Sequence, residues 1–392
     1  MLLRIENIPR PYAWGSHTAI ADLLGTAPSG GPEAELWLGD HPGSPAHIVD
    51  GADEPDLAAY TAAHGGRLPF LMKVLAAGEP LSLQAHPTIA QAREGFAREN
   101  AAGIPLDAAH RNYKDELHKP ELIYALSDPF IALAGFRPVA ESRADLLRGI
   151  GAVEAEHGAG ASAALAPLIE RVQTDADLAD AVRWLIERGD GVAEVVDALA
   201  DVATELTERP ADSPSWASVR RLHAHYPGDA GLAISMLMHT IVLRPGEALY
   251  LPTGNIHSYQ EGLAIEVMAA SDNVLRGGLT PKYVDVPELM RVLDTRPLPP
   301  PTIAPREVRF GVRRFEPDVV DFALTVVESG AAAQGITVPI GGRAVALCLE
   351  GSVTLQGDTL VERGHAVFCD DDELSIHGDG LLVIATGDHP ST

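Results

Sequence analysis

Gly246-Glu-Ala-Leu-Tyr-Leu-Pro252-Thr-Gly254-Asn-Ile-His257 is the stretch whose reading decides the fold. Its glycines and proline shape tight turns around a short strand, Ala248–Leu251, and the histidine projects into a small β-barrel. Working outward, Pro69-Phe-Leu-Met-Lys73-Val-Leu begins an apolar run that leads to Ser82-Leu-Gln84-Ala-His86-Pro87. In a strand, positions 84 and 86 point to one face, so both side chains reach one metal. His118-Lys119-Pro120-Glu121 adds a carboxylate. The predicted ligand set is Gln84, His86, Glu121 and His257.

Two imidazoles, a carboxylate and an amide oxygen make a mixed N/O set without thiolates. With a position left open for water or substrate oxygens, it suits a catalytic Zn²⁺, one per subunit; iron or manganese fits nearly as well by ligand type alone. Each histidine taken singly is more often an ordinary core or surface residue. Together with the Gly-Pro-Gly turns and Gln-x-His they read as a metal site. The interval Gly246-x5-Pro252-x-Gly254-x2-His257 is that of the second cupin motif. Gln84-x-His86 resembles the first, although Glu121 follows only after an inserted loop over 87–117. The other histidines, His41, His223 and His225 among them, lack ligand-like spacing and read as solvated or structural.

The 392 residues allow two or three domains. No apolar run reaches about 18 residues, the start lacks a secretory pattern, and Cys348 and Cys369 suggest no disulfide framework. A cytoplasmic soluble protein is expected. A net charge of −26 argues against nucleic acid and anionic membranes as partners. It also counts mildly against an anionic substrate, unless the cleft has its own local field. Only Lys73, Lys114, Lys119 and Lys282 are lysines among 29 cations, and all lie in or beside the motifs. A compact ammonium suits phosphate binding or proton transfer.

The predicted organisation is mainly β with a helical insertion. A catalytic jelly-roll barrel is split over 1–140 and 223–300, a helical domain spans 141–222, and a degenerate cupin-like β module spans 301–392. Val192, Val195, Val196, Leu199, Val202 and Leu206 keep helical spacing, as do Leu178, Val182, Leu185 and Ile186 after a Thr174/Asp177 capping box. Thr88 caps another helix. A Gly-rich join is expected near Gly158–Ala161. Strands are expected to resume after Asp212-Ser-Pro-Ser, and Pro297–Pro301 reads as a joint.

The motifs together resemble type I mannose-6-phosphate isomerases. The resemblance rests on Gln84-Ala-His86-Pro, His118-Lys-Pro-Glu121, Leu251-Pro…His257-Ser-Tyr259 and Glu266-Val-Met-Ala-Ala-Ser-Asp272-Asn-Val-Leu-Arg276-Gly-Gly-Leu-Thr-Pro-Lys282. It extends to Trp14-Gly and Glu35-Leu-Trp37, and covers most of residues 1–290. It implies a zinc enzyme that interconverts mannose 6-phosphate and fructose 6-phosphate, in carbohydrate metabolism leading to GDP-mannose. The same four metal ligands follow from it, with Arg276 as a catalytic residue. Lys73, Ser82 and Lys282 are implied as phosphate contacts, and Tyr259 and Trp14 as further substrate contacts. His118, Lys119, Glu266 and Asp272 form the implied acid/base neighbourhood. One departure is Pro252-Thr-Gly-Asn-Ile-His257, where the family usually has a second proline before the histidine. It alters the turn and leaves the ligand in place.

Aldose–ketose isomerisation moves a proton between adjacent carbons through a cis-enediol, and charge develops on two sugar oxygens. A metal and Arg276 near those oxygens would stabilise that charge. The proton carrier needs a pKa drawn towards neutrality; Lys119, His118, Glu266 and Asp272 all remain candidates, and a hydride shift is the alternative. Lys73 has the alternative of an ion-pair partner, and Ser82 of a turn hydroxyl. Glu266 and Asp272 have that of holding Arg276 in place. A metal cupin dioxygenase or a different isomerase, and a non-catalytic sugar-binding cupin, compete with this isomerase. The lysines argue against the first, and the complete set of acid/base candidates against the second. A monomer is expected, with a dimer as the alternative.

Overall fold

The computed structural model describes residues 1–157, 160–209 and 212–387. The chain is mostly β with a helical segment between strands. Residues 158 and 159 of the expected Gly-rich join lie outside the described residues.

The strand His257–Ala269 organises a ten-stranded sheet. Its first residues pair with Leu83–Ala85 and Phe130–Phe136, and its later ones with Phe70–Ala77 and Glu121–Ala125. Phe70–Ala77 is buried at all eight positions, which explains its continuous apolar sequence. Lys73 is the one charge it carries. Gly246 and Gly254 have φ values of +91° and +82°, so the turns that flank Ala248–Leu251 require glycine.

The helical segment contains Val139–His157, Ala161–Arg171, Leu178–Ile186, Val192–Glu205 and Pro214–His225. All six apolar residues from Val192 to Leu206 that share the predicted stripe are buried. Thr174 and Asp177 form the expected capping box, and Thr88 forms one with Gln91. Helix also continues where strands were expected, over Pro214–His225. The signal was Ser213-Pro214: Ser213 Oγ accepts from the Trp216 amide, and proline sits at the first helical turn. His223 and His225 therefore lie on a helix, and strands resume at Met238. Trp216 is fully buried beside Gly149, where an added Cβ would lie 2.6 Å from its ring. Trp216→Ala is expected to cost about 3–5 kcal/mol in urea unfolding, because little can collapse into the space.

An eight-stranded sheet holds the C-terminal strands, dominated by Ile336–Leu355 and Ala366–Thr386. The N-terminal strand Leu2–Glu6 joins it, with Leu2 opposite Cys369, and His47–Asp50 adds to its edge. Both cysteines are buried and free. Among the described residues no helix is long and apolar enough to cross a membrane.

Candidate metal centre and cavity

Glu121, His86 and His257 converge in the interior, with ligand atoms all within 4.8 Å of one another. His86 Nε2 lies 3.1 Å from Glu121 Oε1, and His257 Nε2 lies 3.2 Å from Glu121 Oε2. Both imidazole nitrogens and Glu121 Oε1 are buried without a hydrogen bond of proper geometry. Leaving the two imidazole nitrogens without a partner at one point, beside a carboxylate oxygen whose one close partner is the Lys119 ammonium, is costly unless something else occupies it.

The opposite ring nitrogens explain how the histidines are held. His86 Nδ1 donates to the Asn273 carbonyl at 2.7 Å, and His257 Nδ1 to the Asn255 carbonyl at 3.1 Å. That leaves each Nε2 lone pair directed at the centre, the arrangement a metal ligand needs. Burial, aided by the nearby Lys119 ammonium, lowers the His86 pKa to about 4, so its ring is neutral. Burial alone would raise the Glu121 pKa, but Lys119 and His86 outweigh it and hold the carboxylate well below its usual range. The Lys119 ammonium stands 2.8 Å from Glu121 Oε1, and Tyr259 Oη donates to Glu121 Oε2 at 2.9 Å. The donor set fits zinc. Gln84 lies directly across the strands from His257 on one side and Arg276 on the other, so all three side chains emerge in one row.

A cavity of about 340 Å³ opens over this row. Of the predicted catalytic residues, Lys119, Glu266, Asp272 and Arg276 line it. So do all five predicted substrate contacts: Trp14, Lys73, Ser82, Tyr259 and Lys282. Gln84 and Glu121 reach its floor, while His86 and His257 lie behind it. His118 is the exception, because its Nε2 pairs with Asp321 Oδ2 of the C-terminal module at 2.8 Å.

The charges of the cavity fall into two parts. On one wall the buried Lys73 ammonium pairs with Glu266 at 2.9 Å and Glu35 at 3.5 Å. Burial would lower its pKa, but the two carboxylates more than reverse this, so it stays charged. Burial raises the Glu266 pKa, with Lys73 pulling the other way. On the other wall, among the described residues, neither Arg276 nor Lys282 meets a carboxylate within ion-pair distance. Burial lowers both pKa values, and Arg276 adds to the effect on Lys282. In a chain of net charge −26 this is a local positive field.

Three residues of this neighbourhood escaped the sequence reading as site residues. Glu35 and Trp37 line the cavity, and Trp37 Nε1 donates to Glu35 Oε2 at 2.8 Å. His41, read as solvated or structural, is buried behind the same wall. The signal available was the pair Glu35-x-Trp37, which points to one face of a strand.

A buried His-Glu-His cluster on a β-sheet, opening to a charged cavity, defines a metal-dependent enzyme acting on a small polar molecule. The sequence pattern described as phosphomannose isomerase type I, catalytic domain, matches residues 2–139. A mannose-6-phosphate isomerase of Salmonella typhimurium is 37% identical over 396 residues, covering 96% of this chain and 97% of its own. The Escherichia coli protein of that name is 39% identical, covering 90% of each chain, and the Bos taurus protein 31%, covering 93% and 92%. Among solved structures, a mannose 6-phosphate isomerase bound with zinc and yttrium superposes with a TM-score of 0.84 at 34% identity, over 99% of this chain and all of that one. The chain belongs to the type I phosphomannose isomerase family.

Proposed function

We propose that this enzyme interconverts mannose 6-phosphate and fructose 6-phosphate by proton transfer through a cis-enediol, with one zinc held by Gln84, His86, Glu121 and His257. The observation that carries the reading is the stranded His86–Glu121–His257 cluster beside a cavity wall where Arg276 and Lys282 stand without carboxylate partners. Zinc in that position supplies Lewis-acid polarisation of a substrate oxygen.

In this reading the phosphate sits against Lys282 and the Ser82 hydroxyl. Trp14, Lys73 and Tyr259 complete the substrate-binding surface. Arg276, next to Gln84 in the cross-strand row, faces the sugar oxygens on which enediol charge develops. Lys119 and Glu266 are each committed to an ion pair, Lys119 with Glu121 and Glu266 with Lys73. His118 is committed to Asp321 and anchors the segment that carries Lys119 and Glu121. Asp272 lines the cavity with a half-exposed carboxylate whose ion-pair contact, to the His41 ring at 3.4 Å, is longer than those of Lys119, Glu266 and His118, so it moves the proton between C2 and C1. Burial raises its pKa, but His41, Lys119 and Lys73 more than offset this, so it is ionised at neutral pH and able to accept a proton. The shift runs away from neutrality rather than towards it as the sequence suggested for the carrier.

The reading keeps the division expected from sequence: a cupin jelly roll over 1–140 and 223–300, a helical domain over 141–222, and a degenerate cupin over 301–392. Leu2–Glu6 then ties the first part to the last, and His47–Asp50 extends that sheet through it. The reading also keeps the expectation of a monomeric cytoplasmic enzyme.

Arg276→Ala is expected to lower kcat by about 10²–10³-fold, as for loss of one preorganised donor at a developing oxyanion, with zinc content unchanged. Mannose 6-phosphate deuterated at C2 tests the route. Proton transfer predicts partial loss of the label to water, whereas full retention at C1 of fructose 6-phosphate would count against it and favour a hydride shift.

A further inference from the structure

His41 sits two residues beyond Gly39, which follows the Glu35–Leu38 strand, in a position that the metal centre does not use. Its ring is 5% exposed and packs edge-on to Trp37, with ring centroids 5.0 Å apart. The Gly43 amide donates to His41 Nδ1 at 3.1 Å. A ring nitrogen that accepts carries no proton, so the proton of the neutral ring is on Nε2. That nitrogen lies 3.4 Å from Asp272 Oδ2, a long polar contact in which the N–H faces the carboxylate.

We propose that His41 is a positioning residue for the reaction: its fixed Nε2–H sets the rotamer of the Asp272 carboxylate at the cavity. The main chain of Asp272 is already pinned, because its amide donates to Asp115 Oδ2 at 2.9 Å. The side chain is half exposed, and among the described residues its carboxylate meets no other ion-pair or hydrogen-bond partner. Glu35 holds the Trp37 indole, Trp37 and Gly43 hold the imidazole, and the imidazole holds the carboxylate. A base displaced by a fraction of its reach loses much of its effect, since transfer needs hydrogen-bond distance to the proton. Because the proposed role of Asp272 underlies this inference, Asp272→Asn must be measured beside it.

The test compares His41→Leu, which removes the donor, with His41→Gln, whose amide restores one. For His41→Leu, kcat is expected to fall about 10–100-fold, the usual effect of removing a group that orients a reacting one, while zinc content stays at the wild-type level. KM should change by less than about twofold, since the loss concerns proton transfer rather than binding. His41→Gln should recover most of the rate. The acid limb of the kcat/KM profile should also move to higher pH in His41→Leu. Removing the donor leaves burial opposed only by Lys119 and Lys73, with Asp115 and Lys114 nearby unchanged. Gly43→Ala serves if the leucine variant does not fold: its Cβ would lie 3.2 Å from Nδ1 and tilt the ring without removing it, so kcat should fall in the same direction.

If Asp272→Asn is inactive while His41→Leu keeps kcat within about twofold of wild type, the positioning role is wrong and the assignment of Asp272 stands. Equal losses for leucine and glutamine would likewise overturn it, because packing rather than the hydrogen bond would then be at issue. An active Asp272→Asn enzyme overturns the assignment of Asp272 and this inference with it.

Discussion

Glu121→Gln is expected to abolish both metal binding and turnover. The substitution keeps the volume of the side chain and removes its charge. Glu121 is the one carboxylate in a cluster whose other two members are imidazoles, and it is the group that both Nε2 atoms face. Dialysed variant protein should hold little zinc, and kcat/KM should fall by at least about 10³-fold, more than loss of an outer partner produces. Stability should fall as well. Lys119 is buried and pairs with Glu121, so the variant leaves a charge in the interior without its counter-ion, a loss of about 3–5 kcal/mol. Elemental analysis and urea unfolding measure the two effects separately. A variant that retains zinc as tightly as wild type would remove Glu121 from the ligand set.

Asp272→Asn is the second large effect. Asparagine keeps the shape and the contact with His41 but cannot accept the C2 proton. The expected loss in kcat is about 10²–10⁴-fold, the range that a positioned general base contributes, with zinc content and melting temperature close to wild type. A loss of the same size in Glu266→Gln with Asp272→Asn active would transfer the role to Glu266. Glu266 is less suited, because its carboxylate is already engaged by Lys73 at 2.9 Å.

The sequence made the centre of this candidate site legible because its proposed ligands announce themselves locally. Gly246, Gly254 and His257 are fixed by turns that only glycine accommodates, and Gln84 and His86 by the alternation of a strand. Glu121 is separated from them by the inserted loop, yet its pairing opposite Leu251 and Met268 returns it to the same interior. Pairings of this kind carry no local signal. The same holds for Leu2 opposite Cys369, where two ends of the chain meet in one sheet. Lys73 shows a different limit. Its charge and apolar surroundings were evident, but whether it would face a phosphate or two carboxylates depended on Glu35 and Glu266 arriving from other strands. His41 shows the same limit more plainly, since nothing in its own spacing indicates Asp272, more than two hundred residues away.

The helix over Pro214–His225 is instead a missed local signal. Ser213-Pro214 marks a helix start as clearly as Thr88 does, and Trp216, Val219 and Leu222 repeat at helical spacing. The charge of the whole chain was a poor guide to its substrate. What matters is the wall formed by Arg276 and Lys282, whose charges are not cancelled locally.

A coupled assay of fructose 6-phosphate formed from mannose 6-phosphate tests the central claim most directly. It should be run on the enzyme as purified, after exhaustive chelation, and after zinc is restored. The account predicts turnover that is lost with the chelator and recovered with stoichiometric zinc. A folded, zinc-loaded protein that forms no fructose 6-phosphate would contradict it.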